Sequence, residues 1–148
     1  MLTGIFAIIL SIGCFWFSFK FISAYIKVKG WIKTEAIVLS KEVKLHEKYS
    51  TSRSPYAVKV TYSYLFNNTE YKNNTLYLAE LLGGQVNHME QSANKRIAEI
   101  KDKALIFVNP NNPEQSVMFC EGILLYVLIS FIGLIALMIG IYSMFGST

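Results

Sequence analysis

Two long stretches without charge bound what this chain can fold into. The first nineteen residues carry no charged side chain, and ten of the eighteen from Leu2 to Phe19 are Leu, Ile or Phe. A helix needs about 20 apolar residues to cross a hydrocarbon core. Adding Phe21, Ile22, Tyr25 and Ile26, with Lys20 snorkelling outward, makes the first stretch long enough. The second, Ile123–Phe145, is uncharged throughout. In the first, Gly4, Ala7, Ser11, Cys14 and Ser18 step by 3, 4, 3 and 4; in the second, Gly133, Ala136, Gly140 and Ser143 step by 3, 4 and 3. Such spacing places small residues on one helix face, where a second helix can approach closely. The expectation is a transmembrane hairpin packed through these nine residues.

Subtracting the spans leaves about 90 residues, enough for one modest domain. All fourteen Lys and Arg lie between Lys20 and Lys103, so the net charge of +4 belongs to the middle and its junction with the first span. Lys20, Lys27, Lys29 and Lys33, with Tyr25 and Trp31, are expected at the membrane interface, as are Tyr126 and Tyr142 around the second span. The division expected is 1–29 as first helix with a basic end, 30–119 as soluble domain and 120–148 as second helix. The first span lacks the basic leader and short apolar core of a cleaved signal. Cys14 would lie roughly 16 Å deeper than the loop-side end of its helix, while a disulfide needs Cα atoms within about 7 Å. No bond to Cys120 is expected.

The middle segment alternates like a sheet. Ala36–Leu45 reads as a strand with Ile37, Leu39, Val43 and Leu45 on one face and Lys41 breaking the pattern. His46–Pro55 is polar and reads as a hairpin loop. Tyr56–Phe66 is the clearest strand, with Val58, Val60, Tyr62, Tyr64 and Phe66 at period two. Asn67-Asn68 supplies the positive φ of a tight hairpin turn. Thr69–Lys72 and Thr75–Ala79 are expected to return as one irregular strand, completing a three-strand meander. Leu81–Gln85, with Gly83-Gly84, then breaks the sheet. Asn87 and Glu90 have the spacing of a capping box, and Met89, Ala93, Ile97 and Ile100 mark one helix face. Ala104–Val108 reads as a short buried strand, ended by the proline-rich turn at 109–113. Ser116–Cys120 leads into the second span.

These features in this order resemble the two-pass bacterial membrane proteins grouped as domain of unknown function 3592. The matching pieces are Gly30-Trp31, Glu35-Ala36-Ile37-Val38, the alternating Tyr56, Val58, Val60, Tyr62 and Tyr64, then Tyr71, and Phe107-Val108-Asn109-Pro110-Asn111-Asn112-Pro113-Glu114. Together they cover nearly the whole chain. Asn68 stands where the family usually has a turn glycine, and Asp102-Lys103 replaces a glycine before the last strand. The resemblance implies no catalytic residues and no cofactor. Some members are thought to be immunity proteins encoded beside toxins.

The residues by themselves offer little chemistry. His46-Glu47 reads as a solvated loop tip rather than an acid/base pair, and His46 with His88 lacks the further ligands a metal needs. The oxygens of 109–114 do not follow calcium-loop spacing, so a rigid turn is the better reading. Tyr62, Tyr64, Tyr71 and Tyr77 read as a sheet face against a helix rather than a base-stacking platform, and no nucleic acid is expected. Without a mid-span acid or base, an ion pathway has no side-chain support.

The expected fold is therefore an α+β membrane protein: a two-helix transmembrane hairpin carrying an antiparallel sheet of about four strands and one helix. The expected function is non-enzymatic binding at a bacterial inner membrane, with the lipid bilayer and a protein partner as contacts. The partner is either a toxin that the chain neutralises or a larger membrane complex that it joins as an accessory subunit. Its candidate contacts are His46, Glu47, Lys48, Tyr49 and Arg53 in one loop and Leu81, Leu82 and Gln85 in the next, because exposed irregular segments carry recognition. Four lysines on the loop side of the first span favour a cytoplasmic domain over a periplasmic or extracellular one.

Overall fold

A computed structural model describes residues 2–46, 52–120 and 122–145. Two helices end the chain: α1 is Leu2–Lys29 and α4 is Ile123–Phe145. Both are long and apolar enough to cross a membrane. Between them lie β1 (Ile32–Leu45), β2 (Tyr56–Phe66), β3 (Thr69–Asn73), α2 (Leu78–Leu81), α3 (Glu90–Glu99), β4 (Lys103–Val108) and β5 (Ser116–Val117). The chain divides into two compact units, Met1–Lys27 with Gly122–Thr148, and Val28–Glu121.

In the helical unit the small residues differ in burial. Gly4, Ser11, Ser18, Gly133 and Gly140 are buried, while Ala7, Cys14, Ala136 and Ser143 are half-buried. A Cβ added to Gly140 would meet Ile8 Cγ1 at 2.8 Å and the Gly4 carbonyl oxygen at 3.1 Å, and one on Gly133 would meet Cys14 Cβ at 3.0 Å. The two backbones approach this closely only because no side chain intervenes. Thr3 and Ser143 hydroxyls meet at 3.3 Å, and Phe21 stacks on Tyr126 at 4.2 Å between ring centroids. The Ser11 and Ser18 hydroxyls are buried in this contact. Large residues such as Phe6, Trp16, Phe19 and Leu124 point outward, which suits a hydrocarbon surround.

The second unit is a five-stranded antiparallel sheet of order β3-β2-β1-β4-β5. Strand β2 forms because its alternation puts Val58, Val60, Tyr62, Tyr64 and Phe66 on one face, all buried. Asn67 and Asn68 turn the chain with φ of 50° and 62°, the doubly positive geometry that a two-residue hairpin favours. Helix α3 packs on β1 and β2, and Ala93 and Ile100 join Leu76, Ile106 and Val108 in the core.

Several details depart from the expected strands. β1 begins at Ile32 rather than Ala36, and a fifth strand, only two residues long, is added. Thr75–Ala79 does not return as strand; its end belongs to the short helix α2. The Glu80 carboxylate accepts the Leu76 N–H at 2.7 Å and the Tyr77 N–H at 3.3 Å, so the capping role falls at α2. At α3 the N-cap is Met89, without a side-chain bond, rather than Asn87. A bulge between Val38 and Ser40 corrects the face assigned to β1. It leaves Ile37 outside, 56% exposed, while Val43 packs against the core. The same shift turns Lys41 to the core side, opposite Val60, where its ammonium donates to the Ile100 carbonyl at 2.7 Å and closes the end of α3.

Candidate functional site: the hairpin end of the sheet

The end of the sheet is built by three segments distant in sequence. Leu45 pairs with Tyr56 across the β1–β2 hairpin, and the His46 N–H donates to the Pro55 carbonyl at 2.8 Å. On its other side Tyr56 pairs with His88 through both backbone bonds, at 3.1 and 2.7 Å. β3 reaches only to Asn73 opposite Tyr62, so this edge of β2 is available to His88. The bridge is antiparallel, so His88 lies at the base of the hairpin loop while the strip before it runs back along β2 towards Lys59 at Gln85. At ~3.3 Å per residue this end is roughly 40 Å along β1 from Ile32, where the chain enters the sheet.

Of the eight predicted contact residues, His46 is half-buried and Arg53 exposed in the first loop, while Glu47, Lys48 and Tyr49 lie outside the described residues. In the second segment Leu81 and Leu82 are half-buried and Gln85 is exposed. Gly83 takes φ +81°, and the Gly84 N–H donates to the Ala79 carbonyl at 2.8 Å, so this turn is a formed helix end. The antiparallel Tyr56–His88 pairing sets His88 at the base of the Arg53 hairpin and directs Gln85 the other way, roughly 20 Å from Arg53 along β2.

Sequence reasoning does not bring together the residues around His88. Tyr77 does not join the other tyrosines on the sheet; its hydroxyl meets His88 Nε2 at 3.1 Å and its ring lies 5.8 Å from that of Phe119. The Arg96 guanidinium lies 4.9 Å from the Phe119 centroid and pairs with Glu99 at 3.3 Å. Burial, and then the Arg96 charge, hold the His88 imidazole below its ordinary pKa. The Glu90 carboxylate pushes the Tyr56 phenol up. Local spacing assigns His88 to the first position of a helix; its pairing with Tyr56 is non-local, and no local signal announces it.

The other named positions have structural roles. Tyr62 donates to the Thr75 carbonyl and shares a bond with Ser116 Oγ, both at 2.9 Å, and Tyr64 donates to the Pro113 carbonyl. Tyr64 stacks on Tyr71 at 5.8 Å. The turn at 109–115 is closed on itself: the Asn111 N–H donates to Asn109 Oδ1 at 3.0 Å, and the Asn109 N–H to the Gln115 carbonyl at 3.0 Å. This is the bonding of a rigid turn. Among the described residues no three His, Cys, Asp or Glu side chains converge as metal ligands, and Cys14 and Cys120 form no disulfide.

Around the helix ends Lys20, Lys27, Lys29 and Lys33 are exposed and Tyr25 is half-buried. Trp31, expected at the interface, is only 8% exposed and belongs to the folded unit. Lys29 and Lys33 both lie over the Phe107 ring, at 5.4 and 5.8 Å from its centroid. Tyr126 is held by Phe21 and Phe17, whereas Tyr142 is 76% exposed.

A small α+β domain set between two helices of membrane-crossing length is the class this architecture defines. The family model described as "Domain of unknown function (DUF3592)" matches residues 34–120, and the chain belongs to that family. No curated protein and no solved structure matches it.

Proposed function

We propose that this chain is a membrane-anchored, non-enzymatic binding protein that recognises a protein partner with the hairpin end of its sheet. The observation that carries the reading is the Tyr56–His88 pairing, which lays the irregular strip that ends at His88 along the open edge of β2, up to the base of the hairpin. The anchoring helices α1 and α4 supply attachment, and the positive-inside bias of Lys20, Lys27, Lys29 and Lys33 favours a domain on the cytoplasmic side of a bacterial inner membrane. In its narrower form the partner is a toxin that the chain neutralises.

The test is site-specific photocrosslinking in cells. A photoreactive residue at Arg53 or at Gln85 is expected to trap the same partner band, whereas one at Glu99 traps none. The pair Arg53→Glu with Gln85→Lys should abolish the band seen from a probe at Ser54. If Arg53 and Gln85 trap different bands, or none, the shared surface does not exist. The toxin form is tested by survival of cells carrying the native chain against cells carrying that double variant, when both are challenged with toxin-producing neighbours. Equal survival removes it.

The alternative, an accessory subunit packed through its spans, draws support from one feature. Ile12, Phe15, Trp16, Ser18, Phe19 and Ile22 of α1, with Ser130 of α4, line an apolar groove of about 510 Å³. The small-residue faces themselves are consumed by the α1–α4 contact, so a third helix would have to use this groove. Bulky substitutions at Ser130 would then abolish function while leaving the hairpin intact.

A further inference from the structure

The sheet has a second face that α3 does not cover. Helix α3 occupies the face of Val58, Val60 and Tyr62, while the opposite face exposes Ile37, Leu39, Leu65 and Leu105 at 56%, 51%, 62% and 66%. The strand register arranges its charges in two adjacent rows. In one row Glu70 lies opposite Leu65, and Glu35 opposite Leu105; in the next, Lys72 lies opposite Ser63, Ser63 opposite Ile37, and Ile37 opposite Lys103. One row is acidic and the other basic, with apolar residues between. Of these four charges only Glu35 and Lys103 meet directly within a chain, at 3.6 Å, and both are more than half exposed.

We infer that this face binds the same face of a second copy of the chain. A copy turned by 180° about an axis running across the strands, between the two rows, sets its basic row over the first copy's acidic row and the reverse. Glu70 then faces the second copy's Lys72, and the four exposed aliphatic side chains are withdrawn from water. Such a two-fold contact is self-complementary, as an isologous interface must be. Strands ~4.8 Å apart and rising ~3.3 Å per residue give the part of the face that this axis lays over its copy a footprint of roughly 350 Å². That is under half the ~800 Å² per partner of a standard interface, so the pairing of the charged rows carries the specificity of the contact. Two sheets packed face to face ~10 Å apart form an ordinary sandwich. This surface is separate from the hairpin end, so it stands or falls apart from partner recognition.

The test is a charge-swap experiment on the full chain in lipid nanodiscs and mild detergent, with mass measured by native mass spectrometry. The native chain should run as a dimer. Glu35→Lys with Glu70→Lys makes both rows basic and should be monomeric, as should Lys72→Glu with Lys103→Glu, which makes both rows acidic. Mixing the two should restore a dimer containing one of each. Circular dichroism checks that each variant keeps its fold, and Leu65→Asp, at a 62% exposed position, gives a further monomeric variant. A monomeric native chain, a dimer that survives both reversals and Leu65→Asp, or a mixture that stays monomeric would overturn the proposal. A native monomer whose face is shielded from maleimide in vesicles but not in detergent would assign the face to lipid instead.

Discussion

Replacing Tyr62 by phenylalanine isolates the bond that ties the sheet to two loop segments. The ring is fully buried, and its one hydroxyl proton goes to the Thr75 carbonyl at 2.9 Å. The contact with Ser116 Oγ, also 2.9 Å, must therefore be donated by the serine. The Tyr62→Phe variant would keep the packing but take from the fully buried Ser116 hydroxyl its acceptor at 2.9 Å, leaving it the Tyr64 phenol alone. The Thr75 carbonyl would retain only the Met118 N–H at 3.4 Å. One lost neutral bond and one weakened buried donor amount to roughly 2 kcal/mol. Burial already pushes the Tyr62 phenol far above its ordinary range, so no ionised form complicates the measurement. Urea unfolding of the full chain in micelles reports the change through the fluorescence of buried Trp31, and the melting temperature should fall by roughly 10–20 °C. Ser116→Ala alone strands no donor and should cost about 1 kcal/mol. Combined with Tyr62→Phe it should recover about 1 kcal/mol of the larger loss, because it removes the hydroxyl that has lost its Tyr62 acceptor. Additive losses, or a Tyr62→Phe effect under about 0.5 kcal/mol, would refute this network.

Two further outcomes follow from other parts of the chain. Gly133→Cys should form a disulfide with Cys14 on mild oxidation in a Cys120→Ser background, because an added Cβ lies 3.0 Å from Cys14 Cβ. Adding Gly140→Leu, which meets Ile8 and the Gly4 backbone, should cost about 1–3 kcal/mol of packing and lower the crosslinked fraction on non-reducing gels; an unchanged yield would contradict the close crossing. The His88 pKa is depressed in the folded chain, so folding disfavours its protonated form. Its contribution is intact above about pH 6.5 and is lost as pH falls through the lower folded value. Thermal melts at pH 7.5 and 5.5 should show a loss that His88→Gln reduces, and an equal loss in both proteins would remove His88 as its source.

What the sequence reveals and conceals follows from the range of the interactions. The spans, the alternation of Tyr56–Phe66, the Asn67-Asn68 turn and the closed turn at 109–115 are local, and residue type alone announces them. The bulge at Leu39 is not. Strict alternation carried through it assigns Ile37 and Val43 to one face, although one inserted residue separates them. Lys41 looks like a break in the pattern and is the consequence of that insertion, reaching the carbonyl at the end of α3. Local spacing misplaces the capping glutamate for a related reason. Asn87 and Glu90 satisfy a spacing rule, but the backbone at 88 is held by Tyr56, so the helix starts later. The hairpin loop and the strip near Gln85 are each legible as exposed segments. That the strip runs along β2 to the base of the hairpin depends on a pair between residues 56 and 88, which no local pattern encodes.

A folded domain held on one side of a membrane by two spanning helices underlies every functional expectation for this protein. Single cysteines at Ser52 and at Asn112, in a Cys14→Ser, Cys120→Ser background, test this directly when intact cells are treated with an impermeant maleimide. Both positions are expected to stay unlabelled until the membrane is opened, and then to label together. Labelling of one but not the other in intact cells would contradict the two-span hairpin, and labelling of both would contradict the cytoplasmic placement.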